Sequence, residues 1–265
     1  MNAHIKTILA KLNLLVPLTN LKYILHRLQL SRANTQFKKA HPSFVLPPDY
    51  LLYESYGLNY QHYYTDGKAT AALIKEKTQA WLPNPSSPAI LDWGCGPARV
   101  LRHLPAQFQG GQFFGCDYNS ITVNWLQTAL PELLVESNQL HPPLPWEANQ
   151  FDLVYGISIF THLSASSHQN WLQEIHRVLK PGGIFLFTTH GNAFLPRLTS
   201  AEKQQFLAGK LVVRASGPEG HRVYGAFHPE EAIRKLLPPF ECVSVELHAE
   251  GGAFEQDWWL VRKNQ

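Results

Sequence analysis

Residues 89–104 read AILDWGCGPARVLRHL. A short apolar run, Ala89, Ile90 and Leu91, ends in an acid, Asp92. A tight loop follows, Gly94-Cys95-Gly96, and then Val100, Leu101 and Leu104 fall on one face of a predicted helix over 98–104. A strand that feeds a helix through a glycine turn gathers free backbone N–H groups and the positive end of a helix dipole at one spot. Glycines there let a ligand touch the backbone where side chains would block it. The stretch predicts a cradle for a nucleotide-like ligand.

Outward from this loop the pattern alternates. Strands are predicted at Ile90–Trp93, Gln112–Cys116, Leu133–Glu136, Phe151–Tyr155 and Ile184–Thr189. Helices are predicted between them, around 121–129 and 168–178, with another before the first strand at Lys68–Trp81. Short apolar strands alternating with helices specify a parallel sheet covered on both faces. Two more strands, Cys242–His248 and Asp257–Arg262, are close enough in sequence to pair as an antiparallel hairpin. That makes seven strands in an α/β fold. The segment 192–228 breaks the rhythm and predicts an inserted lid, with a short helix at Ser200–Leu207 and a hairpin around Ser216-Gly217-Pro218.

The chain of 265 residues suffices for one large domain and an appendage. No apolar run approaches the ~20 residues that span a bilayer. Cys95, Cys116 and Cys242 are scattered, odd in number and show no metal-ligand spacing, which suits a reducing compartment. The net charge of +3 hides an asymmetry: seven basic residues and no acids precede Asp49, leaving 16 basic and 20 acidic residues, net −4, in the remainder. The domain of residues 49–265 is therefore predicted not to bind nucleic acid. The basic arm, residues 1–48, carries Ile5, Ile8, Leu9, Leu12 and Leu15, then Leu21, Ile24, Leu25 and Leu28, all at helical spacing, with Pro17 between the two pieces. Such an arm lies on an anionic membrane surface, docks on a partner protein, or packs on its own domain; a transit peptide is a further reading, weakened by few serines. The expected location is cytoplasmic, with a peripheral membrane position open to the arm. Tyrosines crowd residues 50–64, after the prolines at 42, 47 and 48.

The second strand ends in Asp117, about 20 residues past the glycine loop, where an acid accepts hydrogen bonds from both ribose hydroxyls of an adenosine. Its competing role is to cap the next helix. A dinucleotide site wants G-x-G-x-x-G, yet Arg99 holds the third glycine's place. Asp92 would repel a pyrophosphate and attract an ammonium. S-adenosylmethionine carries an ammonium and a sulfonium and no phosphate, so the loop favours it over a nicotinamide cofactor.

The chain resembles a class I S-adenosylmethionine-dependent methyltransferase of the small-molecule type. The resemblance rests on ILDWGCGPARVLRHL, FGCDYN, PPLPWEANQFDLVYGISIFTHL and WLQEIHRVLKPGGIFLFTTHG, and covers roughly 52–262. Ala98 departs from the family, which often has a further glycine there. The resemblance implies a Rossmann-like fold. It also implies that Asp92, Gly94, Cys95 and Gly96 form the loop beside the methionine part of the cofactor. Asp117 would hold the ribose, Tyr118 would pack beside the adenine and Asn138 would meet its amine. Gly156 and Ile157, with Tyr155, would lie beneath the sulfonium.

Methyl transfer is an in-line displacement in which the protein aligns the nucleophile and sometimes removes its proton. His162 and His190 follow the fourth and fifth strands, at the sheet edge where ligands of such folds bind. Each is a candidate base or a structural hydrogen-bonding residue, and His228 is a third. Tyr60, Tyr63, Tyr64, Tyr224 and Phe227 are candidate lid and substrate-wall residues, or else packing residues of the arm. The motif D/N-P-P-[YF] of amino-group methyltransferases is absent, and YGIS stands in its place. The predicted activity is methylation of a small-molecule or glycan acceptor, at a hydroxyl in preference to an amine. The alternative is a catalytically silent binding protein of the same fold.

Overall fold

A computed structural model describes residues 15–264 apart from Arg222 and Gly252. Ile5 to Leu12 of the arm lie outside the described residues. The chain divides into two compact units, one through Gly67 and one from Lys68 onward.

The second unit is built on a seven-stranded sheet. In chain order its strands are β1 (Ala89–Trp93), β2 (Gln112–Asp117), β3 (Leu134–Ser137), β4 (Phe151–Gly156), β5 (Leu179–Thr189), β8 (Phe240–Glu246) and β9 (Asp257–Lys263), with β6 (Val212–Arg214) and β7 (Gly225–Phe227) forming a separate pair in the insertion. The spatial order is β3-β2-β1-β4-β5-β9-β8. Strands β1 to β5 run parallel, with Leu91 of β1 opposite Phe114 of β2 and Val154 of β4. β9 enters antiparallel to both β5 and β8. The antiparallel C-terminal hairpin and the parallel body are those expected from the sequence.

All five residues of β1 are buried, which is what a central strand covered on both faces requires. Alternation divides them. Ile90 packs in one layer with Leu101, Leu104, Leu126 and Tyr155. Leu91 and Trp93 pack in the other with Phe160, Trp171, Ile175 and Trp259. The second layer is held by the helix Ala165–Val178, whose Ser164 side chain caps it by accepting from the Ser167 N–H. Trp171, Leu172, Ile175 and Val178 give this helix its buried stripe, and each such side chain contributes roughly 1.5–3 kcal/mol of burial. Lys180 pairs with buried Asp152 at 2.7 Å, and Asp152 also accepts from the Ala89 N–H at 2.8 Å.

The chain after the glycine loop departs from expectation. No α-helix forms over 98–103; Leu101–His103 is a 3-10 turn, followed by the four-residue helix Leu104–Gln107. Ala98 has φ 59°, outside helical space, and Pro105 lacks the N–H that an α-turn here would need. The helix-dipole argument for the loop therefore falls away, and what the loop offers is backbone N–H geometry.

The insertion has its own small core of Phe194, Leu195, Phe206, Val212 and Phe227. Its helix Ser200–Leu207 starts on a capping box between Thr199 and Glu202.

The first unit contains α1 (Leu15–Ala40), α2 (Asp49–Ser55) and the start of α3 (Tyr60–Thr78). Pro17 falls in the first turn of α1, where no intrahelical N–H is required. α3 begins eight residues before the predicted Lys68. Tyr60, Tyr63 and Tyr64 at i, i+3 and i+4 form its apolar stripe, and their packing outweighs the ~1 kcal/mol that Gly67 costs inside a helix. Phe37, Leu52, Tyr60 and Tyr63 form this unit's core, with Tyr64 against it. Asn34 ties it together by donating to the Leu58 carbonyl (2.8 Å) and accepting from the Tyr60 N–H (3.2 Å).

Candidate functional site

The carboxyl ends of β1, β2 and β4 open into a cleft of about 450 Å³, counting its open mouth. Its wall includes Trp93, Gly94, Asp117, Tyr118, Asn138 and His162. The glycine loop is folded back onto β2: the N–H groups of Gly94 and Cys95 both donate to the Cys116 carbonyl, at 2.9 and 2.8 Å. Gly94 has φ 77° and Gly96 φ 50°. A side chain at Gly94 would strike Ile159 Cδ1 at 2.2 Å, so the glycine is needed for both its conformation and its closeness to the β4 turn.

Asp117 is anchored from both sides. Its Oδ2 accepts from the Gly96 N–H at 2.9 Å and its Oδ1 from the Asn119 N–H at 2.8 Å. Burial raises its pKa, while these two N–H groups pull the other way. The helix cap after β2 is Asn119, which accepts from the Ile121 N–H, so Asp117 is not spent on capping. Each of its oxygens keeps a lone pair for a hydroxyl donor. Asn138 donates to the Gln139 carbonyl at 2.6 Å, while its buried Oδ1 has no hydrogen-bond partner among the described residues. A buried amide oxygen facing a cleft fits an exocyclic amine. Tyr118, half exposed, donates its hydroxyl to the Gly220 carbonyl at 3.2 Å, and the Gly220 N–H donates to the His162 carbonyl at 2.9 Å. Gly220 of the insertion thereby lies along the cleft.

Other residues singled out from the sequence lie under the cleft. Asp92 is buried beneath the loop, where burial lifts its pKa to about 7 against the opposing influence of the Tyr155 hydroxyl and the Arg99 guanidinium. Cys95 is buried and its thiol is pushed well up by burial and by Asp92, so it is inert. Gly156 packs against Trp93, which a side chain there would meet at 2.8 Å. Ile157 packs on the first core layer. Tyr60 and Tyr64 belong to the aromatic core of the first unit, and Tyr60 hydrogen-bonds Asp49.

The histidines gather along β7 of the insertion and the residues flanking it. His162 donates Nδ1–H to the Tyr224 carbonyl (3.0 Å), and His190 donates Nδ1–H to the Ala226 carbonyl (3.2 Å). His228, two residues further, is fully buried with its Nε2 2.8 Å from Nε2 of His168. His168 Nδ1–H donates to the Ser164 carbonyl, so the shared proton sits on His228. Burial lowers the pKa of all four, that of His190 to about 3. All are neutral at pH 7. Tyr224, expected as a lid residue, contributes its backbone carbonyl to His162.

Residues 90–183 match a family described as a methyltransferase domain. Over those residues the chain carries a methyltransferase domain, and its fold is that of S-adenosylmethionine-dependent methyltransferases. A solved S-adenosylmethionine-dependent methyltransferase of Methanosarcina mazei shares the fold, with TM-score 0.54 and 18% identity, covering 70% of this chain and 95% of that one. A tRNA N(3)-methylcytidine methyltransferase of Drosophila melanogaster is 25% identical over 56% of this chain and 47% of its own length. A malonyl-[acyl-carrier protein] O-methyltransferase of Coxiella burnetii is 30% identical over 51% of this chain and 44% of its own length. The chain thus spans just under half the length of these two curated relatives. The cofactor of the family is S-adenosylmethionine, and the Asp117 and Asn138 chemistry fits its ribose hydroxyls and adenine amine.

One expectation is overturned. The acidic balance of residues 49–265 does not exclude a nucleic-acid substrate, because three relatives are tRNA methyltransferases by name. A summed charge over a whole domain does not describe the surface beside its site.

The cleft also includes Trp93, Leu140 and Ile159, none of them a candidate site residue from the sequence. Their signal was position alone, at or just past the ends of β1, β3 and β4. Ser158 and Gln256, behind the cleft, gave no signal in the sequence.

Proposed function

We propose that the protein transfers a methyl group from S-adenosylmethionine to an acceptor hydroxyl, with His162 as the base. The observation that carries this reading is the His162 imidazole. Its Nδ1–H is committed to the Tyr224 carbonyl and the residue lines the cleft, so Nε2 holds the lone pair. His190 is the weaker candidate, because Gln256 already occupies its Nε2.

When bound, S-adenosylmethionine supplies a methyl carbon activated by its sulfonium. Asp117 holds the ribose hydroxyls and Asn138 the adenine amine. Tyr118 and the backbone of Gly220 cover the cleft. His162, uncharged because burial lowers its pKa, takes the hydroxyl proton at Nε2. Besides Asp117 and His162, the cleft is lined by neutral side chains such as Asn138, Gln139, Leu140 and Ile159, which supports an uncharged acceptor on a small molecule or glycan. The tRNA relatives support a second reading, a modified nucleoside within tRNA as the acceptor.

Both acceptor classes are tested by turnover of labelled cofactor against small-molecule, glycan and tRNA panels. His162→Gln is expected to lower kcat by about 10²–10⁴ with cofactor affinity unchanged. Full kcat in that variant removes the base from the mechanism, and no turnover on any panel favours the silent-binder alternative.

The first unit supports a separate reading, peripheral association with an anionic membrane surface. Leu21, Ile24, Leu25 and Leu28 form an exposed stripe on α1, among Lys22, Arg32, Lys38 and Lys39.

A further inference from the structure

Gln256 stands immediately before β9, and its side-chain amide reaches the ends of two other strands. Its Oε1 accepts from the Thr188 hydroxyl of β5. Its Nε2 donates to Ser158 Oγ, past β4, at 2.8 Å, and to His190 Nε2, past β5, at 3.3 Å. One acceptor and two N–H groups are all used. The direction of each bond follows from its neighbours. His190 gives Nδ1–H to the Ala226 carbonyl, so its Nε2 must accept. Thr161 Oγ1 donates to the Ser158 carbonyl at 2.5 Å, so Ser158 Oγ gives its proton to Thr161 at 2.9 Å and accepts from Gln256.

The residue held this way is unusual. Ser158 has φ 65°, a left-handed conformation that a serine adopts only when its surroundings impose it. The Ser158 N–H is fixed too, donating to Thr188 Oγ1 at 2.8 Å. Everything after Ser158 follows from this turn. Ile159 is set against Gly94, and the 3-10 turn Phe160–His162 presents the His162 ring to the cleft.

We infer that Gln256 is a positioning residue: it imposes the Ser158 turn that seats Ile159 and His162, and its N–H holds His190 in the uncharged Nδ1–H form. The inference rests on the reading of His162 as the base, but its test does not require turnover. Gln256→Glu is the discriminating variant, with Gln256→Leu beside it, both in the full chain. A carboxylate cannot donate to His190 Nε2 and instead attracts a proton to it. His190, whose pKa burial holds at about 3, is expected in Gln256→Glu to titrate near neutral pH in NMR spectra of ¹⁵N-histidine-labelled protein. The His162 ring signals are expected to shift in both variants.

In turnover assays kcat is expected to fall about 10- to 100-fold in both, as for other supporting residues, with the dissociation constant for adenosylhomocysteine changed less than about threefold. The pH–rate profile of Gln256→Glu gains a second ionisation that Gln256→Leu lacks. Unmoved histidine signals in both variants overturn the inference, as does a loss of thermal stability with kcat and the pH profile intact. If His162→Gln keeps full kcat while the His190 titration moves as stated, the base reading fails and the positioning of the turn stands. Should Gln256→Leu not fold, the Gln256→Glu titration decides alone.

Discussion

Asp92 is a carboxyl buried beneath the glycine loop, and with that loop read as an adenosylmethionine cradle the cofactor's ammonium would lie close to it. It is 4% exposed, and burial raises its pKa to about 7, so near neutral pH it is about half protonated. An ammonium beside it selects the carboxylate, and binding therefore expels a proton. Affinity for adenosylhomocysteine is expected to rise about tenfold from pH 6 to pH 8, with proton release seen as calorimetric heats that depend on the buffer. Asp92→Asn removes that slope and weakens binding. An unchanged slope in the variant would place the titrating group elsewhere. The glycine loop and the place of Asp117 at the end of β2 are legible in the sequence because residue type and spacing set them. The fate of Asp92 was half readable: its charge type is written in the chain, but its depth beneath the loop is a tertiary fact. The seat of His162 was not readable, because its partner is the backbone carbonyl of Tyr224, an atom every residue possesses.

At the scale of elements, periodicity decided what the sequence revealed. β1, β4 and the helix 165–178 have strong apolar patterns and were located within a few residues. The turn after the glycine loop was misread as a helix because Val100, Leu101 and Leu104 keep helical spacing while Ala98 and Pro105 break the backbone. α3 starts eight residues before Lys68 because the tyrosine stripe carries the helix through Gly67. α1 illustrates a pattern with two faces. Tyr23, Leu30, Asn34 and Phe37 lie on the side that packs within the first unit, whereas Leu21, Ile24, Leu25 and Leu28, 47–69% exposed, lie about 180° away around the helix. Four aliphatic side chains in water amid lysines and arginine suit insertion into anionic headgroups. The full chain is expected to sediment with vesicles containing phosphatidylglycerol, less so as salt rises, and not with pure phosphatidylcholine. Replacing the four residues by serine should weaken this by at least about 100-fold while cofactor affinity is kept. Binding that ignores lipid charge, or survives the four serines, would end the membrane reading.

Across the second unit, the insertion is fastened to the sheet by imidazoles. Tyr224 and Ala226 give carbonyls to His162 and His190, and His228 bonds His168, so alternate residues in and on either side of β7 are each tied to the main sheet's carboxyl edge or the helix beside it. This arrangement has a consequence for stability. His228 is fully buried and its pKa lies well below 6.5 because of burial first and the neighbouring histidines second. Unfolded, it titrates near 6.5. Above that value both states are unprotonated and its neutral hydrogen bond is fully present. Below it the unfolded chain takes up a proton that the folded chain refuses, so stability falls as pH falls, by up to about 1.4 kcal/mol per pH unit for this one group. Other titrating groups also contribute to the total, which makes a comparison of variants the sharper measurement. His228→Gln keeps an N–H for His168 Nε2 and cannot titrate. Its unfolding free energy in urea should lie below that of the parent at pH 7.5, and the gap should shrink steadily between pH 6.5 and 4.5. A gap that stays constant with pH would mean that His228 holds the strand by packing alone, and that the acid sensitivity of the insertion resides in His162, His168 and His190.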